Sequence, residues 1–107
     1  MFARIGEFIP KPDKKEELVK AIRNEVLPLM KKQPGFLEIL PLFPENKTEK
    51  MIVISLWTDK RSAERYEKEL YPKVEGFLEP FITATVNFKH YNLETTLCQH
   101  FVGALTA

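Results

Sequence analysis

The seven residues MIVISLW, at positions 51 to 57, restrict the fold of this 107-residue chain more than any other feature. A short apolar run rich in β-branched residues, bounded by the polar stretch PENKTEK and by a helix signal at Asp59, predicts a β-strand. Successive side chains of a strand point to opposite faces, and here both faces are apolar apart from Ser55. The run therefore predicts a strand at the centre of a sheet, with both faces covered.

Three further segments have the composition of strands. FARIGEFI, residues 2 to 9, stops at Pro10, and FLEILPLF, residues 36 to 43, contains Pro41, which predicts an edge position or a bulge. Residues 82 to 91 alternate in polarity and predict a fourth strand. One face of it carries Ile82, Ala84, Val86 and Phe88, and the other carries Thr83, Thr85, Asn87 and Lys89.

Two helical regions separate the strands. The first is predicted to begin at Asp13, which with Glu16 forms a capping-box pattern, and to end at Gln33-Pro34-Gly35. Pro28 lies inside this region and predicts a kink or a local break. The second region is predicted to begin near Asp59 and to be divided by Pro72 into two segments.

The element order βαββαβ predicts the ferredoxin-like α+β arrangement, with four antiparallel strands and both helical regions on one face. We assign residues 1–93 to this domain and residues 94–107 to a C-terminal tail. In the tail, Leu97, Phe101 and Leu105 have four-residue spacing behind Thr96 as a helix cap. The tail is interpreted either as an arm lying across a partner or as a frayed terminus.

Two helical regions cover only one face of such a sheet. The uncovered face would expose an apolar patch of several hundred Å², which monomers avoid. The sequence therefore predicts a homodimer in which two sheets pack face to face around a twofold axis, forming an α+β barrel.

Composition excludes several functional classes. The formal net charge of +1 lacks the basic excess of a nucleic-acid-binding protein. Cys98 is the only cysteine and there are two histidines, so neither an internal disulfide nor a metal site is expected. No stretch is apolar and long enough to cross a membrane, and the N-terminus does not have the pattern of a signal peptide, so a cytoplasmic protein is expected.

The stretch LPLMKKQPGFLEI, followed by MIVISLWTDKRSAERY, resembles the antibiotic-biosynthesis-monooxygenase-like family of dimeric α+β barrels. The strand that ends in tryptophan, the polar helix cap and the helical tyrosine carry the resemblance, which covers about residues 2–92. It implies the fold and the dimer. It also implies a range of activities that includes cofactor-independent oxidation of phenols, haem degradation and small quinone chemistry.

The haem-degrading branch of that family uses an asparagine on the first strand, a tryptophan in the second helix and a histidine further along the same helix. The matching positions here hold Arg4 and Glu7 on the strand, Tyr66 in the helix and Gly76 near the histidine position. The resemblance therefore disfavours haem degradation, and no cofactor is expected.

The oxygenase branch needs a dry aromatic pocket and polar groups that stabilise a substrate anion. The candidate catalytic residues are Arg4, Tyr66 and His90. The candidate substrate-binding residues are Trp57, Phe8, Phe77, Phe81 and Asn87.

Each of the main candidates also has a structural interpretation. Trp57 can plug the core, Tyr66 can serve as packing, and His90 can be a satisfied structural histidine. Arg4 needs a partner if it is buried, and either Glu38 or an anionic ligand would supply one.

The leading hypothesis is a cofactor-independent monooxygenase-like protein that acts on a small aromatic or quinol compound. The alternative is a non-catalytic dimeric barrel that binds a small hydrophobic ligand or is purely structural. Fold analogy does not decide between them.

Overall fold

The structure of the chain is a computed structural model that describes residues 1–46, 49–84 and 86–98. Four strands form one antiparallel sheet: β1 (Phe2–Phe8), β2 (Phe36–Leu42), β3 (Met51–Trp57) and β4 (Asn87–Asn92). Their order across the sheet is β2-β3-β1-β4. This order, with helical regions after β1 and after β3, confirms the predicted ferredoxin-like α+β fold.

The register of the central strands decides which side chains share a face. Phe2 lies opposite Trp57, and Arg4 lies opposite Ser55 on β3 and His90 on β4. We call this side the inner face, because the helical regions pack on it. The opposite side, which carries Ile5 and Ile54, is called the outer face. β3 is central, as its two apolar faces predict.

The first helical region is continuous but changes its pitch. It consists of α1 (Lys15–Ala21), a π-helical turn (Ile22–Val26) and α2 (Leu27–Lys31). Leu27 donates its N–H to the carbonyl of Ile22, five residues earlier. Pro28 follows in the first turn of α2, where its missing N–H costs little. The local disturbance predicted at Pro28 thus takes the form of a wide turn just before it.

The predicted cap of the first region is wrong. Lys14 occupies the N-cap position of α1 without any side-chain capping bond. Asp13 has a φ of 61°, in the left-handed region that aspartate tolerates better than most residues. The chain turns at Asp13 before the helix starts, so its carboxylate does not cap the first N–H groups.

The second helical region follows the prediction. It contains α3 (Lys60–Glu69) and α4 (Tyr71–Leu78), with Pro72 in the first turn of α4. The Ser62 N–H donates to Oδ1 of Asp59 at 2.8 Å, which confirms Asp59 as the cap of α3.

Gly35 lies between α2 and β2, at a point where the chain packs closely against the start of α3. Its φ is 83°, and a Cβ at this position would lie 2.3 Å from Oγ of Ser62. The Thr58 N–H also donates to the carbonyl of Gly35 at 2.8 Å. Glycine is therefore required both by the backbone conformation and by the close approach of the chain to the start of α3.

Two strand predictions need correction. β4 begins at Asn87, five residues later than predicted, and Ile82 instead forms an isolated bridge with Pro10. β2 is an edge strand, as Pro41 indicated, but its irregularity lies between Phe36 and Glu38. The bulge restores the inward direction of Ile39, which would otherwise point to the outer face.

The tail is described only up to Cys98, so Phe101 and Leu105 of the predicted arm lie outside the described residues. Thr95–Leu97 forms one 3₁₀ turn. Oε1 of Glu94 accepts the Thr96 N–H at 3.3 Å, so Glu94 and not Thr96 occupies the capping position. Among the helices of the described ranges, none combines the length and the apolar character needed to cross a membrane.

Candidate active site

A cavity lies on the inner face, between the sheet and the helical regions. Its polar lining residues are Arg4, Ser55, Tyr66 and Tyr71, and the others are Gly6, Phe8, Ile22, Val26, Met30, Ile39, Val53, Val74, Leu78, Val86 and Phe88. Ile22 and Val26 belong to the π-helical turn, a type of irregularity that is frequent at functional sites.

The cavity is small. Its volume is about 50 Å³. An apolar void of about 150 Å³ is known to hold benzene, so this cavity admits a single aromatic ring only when its walls move outward.

Arg4 supplies the positive charge of the cavity. It lies at the middle of the central strand β1 and is only 6% exposed, and its Nε donates to Oε1 of Glu67 on α3 at 2.6 Å. The expected partner Glu38 is wrong, because Glu38 lies on the edge strand and accepts from the Ile39 N–H. Pairing with Glu67 offsets much of the cost of burying the guanidinium group.

Three aromatic rings surround the Arg4 guanidinium group. Its Cζ lies 3.6 Å from the ring centroid of Phe88, 4.6 Å from that of Tyr71 and 5.2 Å from that of Tyr66. Ring faces attract cations, and this attraction strengthens where water is excluded. The rings hold the guanidinium group in place at the cavity wall.

Tyr66 is buried on α3 beside Arg4. Burial raises the pKa of Tyr66 to about 12, and the Arg4 charge opposes this rise. The hydroxyl therefore keeps its proton at neutral pH and can donate a hydrogen bond into the cavity.

Tyr71, at the start of α4, has the unusual hydroxyl of the site. Its oxygen is buried and has no partner with the geometry of a hydrogen bond among the described residues, although the Glu75 carboxylate lies near enough to interact with it. Burial first, and the Glu75 carboxylate second, raise the pKa of Tyr71, so this hydroxyl also stays protonated. A buried hydroxyl without a partner costs free energy, and a polar ligand atom in the cavity would satisfy it.

His90 lies behind Arg4 and does not line the cavity. Its Nε2 contacts the same Oε1 of Glu67 at 2.5 Å, and its ring stacks on Phe2 at 5.9 Å. The side chain of His90 is 42% exposed, whereas that of Glu67 is 28% exposed. Glu67 therefore connects a buried cation on one side to a solvent-facing imidazole on the other.

Trp57 has the geometry of a core residue. It is 0% exposed, its Nε1 donates to Oγ of Ser55 at 3.0 Å, and its ring lies 5.0 Å from that of Tyr66. It does not reach the cavity wall, but it supports Tyr66, which does.

The remaining candidates divide into two groups. Phe8 lines the cavity together with Arg4 and Tyr66. Phe77 and Phe81 instead border a surface groove beside α1, and Asn87 lies on the outer face opposite Glu7. The structure thus brings together three of the eight predicted site residues at the cavity and places the other five elsewhere.

Three residues of the site were not predicted. Tyr71 and Phe88 hold Arg4 from two elements, and Glu67 pairs with it. A polar aromatic residue directly before Pro72 was an available signal for Tyr71. The pairing of Arg4 with Glu67 depends on how α3 crosses β1, which sequence spacing does not give.

Gly6 makes room for this arrangement. It lies opposite Phe88, and a Cβ at Gly6 would lie 3.1 Å from a ring carbon of Phe88 and 3.2 Å from a methyl carbon of Val86. The missing side chain allows Phe88 to lie against the sheet and to contact Arg4.

Within residues 1–46, 49–84 and 86–98, no group of three His, Cys, Asp or Glu side chains is arranged to hold a metal ion.

Comparison with protein families gives one match, to a model described as antibiotic biosynthesis monooxygenase, over residues 1–78. No curated protein sequence matches the chain.

Solved structures give matches to the fold. One is a putative antibiotic biosynthesis monooxygenase from Nitrosomonas europaea, at 16% identity and a TM-score of 0.70, covering 88% of this chain and 99% of that one. Another is SnoaB, a cofactor-independent oxygenase from Streptomyces nogalater, at 16% identity and a TM-score of 0.71, covering 87% and 92%. A third is a variant of MhuD with two manganese protoporphyrin IX molecules bound per active site, at 16% identity and a TM-score of 0.73, covering 88% and 95%.

Proposed function

Because the chain belongs to the antibiotic biosynthesis monooxygenase family, we propose that it is a cofactor-independent monooxygenase acting on a small aromatic or quinol compound. One observation carries the proposal. Arg4, with its buried guanidinium group, and Tyr71, whose buried hydroxyl has no well-aligned hydrogen-bond partner among the described residues, line the same apolar cavity. An aromatic ring with a hydroxyl group complements both, because the ring fits the apolar walls and the oxygen meets the polar atoms.

The size of the cavity narrows the substrate class. A cavity of about 50 Å³ must widen to admit one aromatic ring, and it must widen much further to admit a fused polycyclic system. We therefore favour a single-ring phenol or quinol over a polycyclic phenol.

The chemistry follows from the electronic demands of dioxygen. A quinol that loses a hydroxyl proton becomes an electron-rich anion, which can pass electrons directly to dioxygen. One oxygen atom replaces a ring hydrogen and the other leaves as water. The water takes up two hydrogen atoms from the substrate, so a quinol and dioxygen give a hydroxyquinone and water. The protein must stabilise the anion and keep bulk water out.

The cavity residues divide these tasks. Arg4 stabilises developing negative charge on the substrate oxygen, and the Tyr71 hydroxyl donates a hydrogen bond to the same atom. Tyr66 supplies a second neutral donor. Phe8 forms part of the apolar wall, and His90 acts on the cavity only through Glu67.

We also propose that the protein works as a homodimer joined through its outer sheet face. Leu40, Leu42 and Tyr91 are exposed, and the register places all three on that face. Analytical ultracentrifugation should give a dimer for the wild type and a monomer for Leu42→Glu, because a buried unpaired carboxylate opposes association. A wild-type monomer at micromolar concentration would refute this assembly.

The test of the activity is oxygen uptake with a panel of single-ring quinols, in the presence of a metal chelator. We expect uptake by the wild type and at least a tenfold loss in Tyr71→Phe, which removes one donor to the developing anion. Tyr91→Phe is the matched control, because it deletes the same atom from an exposed tyrosine on the outer face.

Two results would contradict the proposed activity. Uptake that stays at the rate of the uncatalysed reaction for every quinol would exclude it. Saturable binding of the same compounds without uptake would favour the alternative, a non-catalytic ligand-binding barrel.

A further inference from the structure

Glu67 is the residue of this region that neither the sequence motifs nor the proposed chemistry uses. It does not line the cavity, yet it is the acidic partner of Arg4, and it shares the same oxygen with His90. We propose that Glu67 determines the charge of the ligand that the cavity accepts, so that the wild-type protein selects the uncharged form of a single-ring phenol or quinol. This inference rests on the ligand class of the proposed function and not on turnover.

The charge at the cavity wall depends on Arg4 and on its partner Glu67. Among the described residues that line the cavity, Arg4 is the only charged one. Its Nε lies 2.6 Å from the Glu67 carboxylate, which reduces the positive potential that Arg4 presents to the cavity. A phenolate would therefore gain less from Arg4 than it would without Glu67, and it would also lose its hydration. An uncharged phenol loses much less on entering.

His90 is the second partner of Glu67. His90 lies across the strand pair from Arg4, with its Nε2 at 2.5 Å from the shared oxygen. The charged groups that face His90 are Arg4 from β1 and Glu67 from α3. A permanent cation at position 90 would place two cations against one carboxylate, which would leave the cluster with a net positive charge. The cluster should then tolerate an anionic ligand.

The experiment uses two probes of nearly the same shape. 2,4-Dinitrophenol is an anion above about pH 5.5, and 1,3-dinitrobenzene is uncharged at every pH. Calorimetric titrations at about pH 8 compare the wild type with Glu67→Gln, which keeps the shape of the side chain and removes its charge. We expect Glu67→Gln to bind 2,4-dinitrophenol about tenfold more tightly than the wild type does, with 1,3-dinitrobenzene unchanged.

Glu64→Gln is the matched control. It makes the same change of net charge on the same helix, at a residue that pairs only weakly with Lys60 across 3.7 Å on the surface. Its affinities for both probes should equal those of the wild type. Equal effects of Glu67→Gln and Glu64→Gln on 2,4-dinitrophenol would overturn the inference, because the effect would then come from the net charge of the whole protein.

A second variant keeps the inference testable if Glu67→Gln does not fold. His90→Lys places a permanent cation beside Glu67, so at about pH 8 it should bind 2,4-dinitrophenol several times more tightly than the wild type does, with 1,3-dinitrobenzene unchanged. Equal affinities of the wild type and His90→Lys for 2,4-dinitrophenol would overturn the inference.

Failure of this inference can be told apart from failure of the proposed function. If both probes bind and Glu67→Gln has no selective effect, the inference fails and the monooxygenase proposal stands. If neither probe binds the wild type, both fail, because both need a cavity that admits a single ring. If the probes respond as expected but no quinol drives oxygen uptake, the inference stands and the enzymatic activity fails.

Discussion

Trp57 and Tyr71 are two amphipathic aromatic residues on the same side of the sheet. Their polar atoms differ in hydrogen bonding. The Trp57 N–H donates to Ser55, and the residue is completely buried in the core. The Tyr71 hydroxyl is also buried, but among the described residues it has no partner with the geometry of a hydrogen bond, and only the Glu75 carboxylate is found to interact with it from nearby. Tyr66 lies between them, with ring centroids 5.0 Å from Trp57 and 6.2 Å from Tyr71.

Among the neighbouring rings of Trp57, Tyr66 and Tyr71, this difference distinguishes a residue that packs in the core from one that could bind a ligand. Where every polar atom has a partner, a large aromatic residue needs no ligand to explain it. Where a buried polar atom lacks a partner beside a cavity, the protein bears a cost that a ligand would relieve. We therefore assign Trp57 to the stability of the fold and propose a ligand-binding role for Tyr71.

Replacing Trp57 should produce the largest loss of stability. We expect Trp57→Ala to lower the free energy of unfolding by about 3 to 5 kcal/mol, because it empties a fully buried site and leaves the Ser55 hydroxyl without its donor. Urea denaturation measures the change, and Trp57→Phe should cost less because it retains most of the buried ring. A loss below about 1 kcal/mol for Trp57→Ala would break the assignment of Trp57 to the core.

The second prediction concerns alkaline pH. The folded pKa of Tyr66 is raised from 10.0 to about 12, and that of Tyr71 is raised as well. Their contribution is fully present below pH 10 and should be lost as the pH rises from 10 toward 12, by about 1.4 kcal/mol per pH unit for each tyrosine. Chemical denaturation across this range measures the slope.

The control for the alkaline slope is Tyr66→Phe, which should remove the share of one tyrosine. A slope that is unchanged in this variant would show that Tyr66 ionises as easily in the folded state as in the unfolded state. Tyr71→Phe should reduce the slope independently, because its own pKa is also raised by burial.

The third prediction compares two glutamates on α3. Glu67→Gln should destabilise the fold by about 1 to 3 kcal/mol, because it leaves the guanidinium group of Arg4 buried without an opposite charge. Glu64→Gln should change the stability by less than about 0.5 kcal/mol, because its pair with Lys60 is on the surface. Equal losses in the two variants, measured by urea denaturation, would contradict the importance of the Arg4–Glu67 pair.

The smallest expected effect is at Tyr71. Tyr71→Phe removes a buried hydroxyl that has no partner, so the free energy of unfolding should stay within about 1 kcal/mol of the wild type or rise slightly. The same variant should weaken the binding of single-ring phenols. A loss of more than about 2 kcal/mol in thermal or urea unfolding would mean that the hydroxyl has a structural role, and the contrast with Trp57 would disappear.

Much of the fold could be predicted from the sequence, because its signals are local. The two apolar faces of residues 51–57 indicate a central strand, and Asp59 and Pro72 mark the helix boundaries where the structure has them. The predictions fail where longer-range geometry overrides a local pattern. Asp13 matches a capping box, yet the chain turns there through a left-handed conformation. The alternation of residues 82–91 extends beyond the part that pairs with β1.

The site could be predicted only in part. Arg4 was identifiable because a charge in a central strand requires a partner or a ligand. Its actual partner, Glu67, depends on where α3 crosses the sheet, and Glu38 was an equally reasonable choice from spacing alone. Tyr71 was not predicted as a site residue, because sequence does not reveal whether a buried hydroxyl finds a partner.

Gly6 influences the size of the cavity. The absent Cβ of Gly6 lets Phe88 rest on the sheet, and Phe88 in turn lies 3.6 Å from the guanidinium carbon of Arg4. A methyl group added at position 6 would push the Phe88 ring toward Arg4 and into the space left for a ligand. We therefore expect a Gly6→Ala substitution to narrow the range of rings that the cavity admits. It would leave the polar groups of the cavity unchanged.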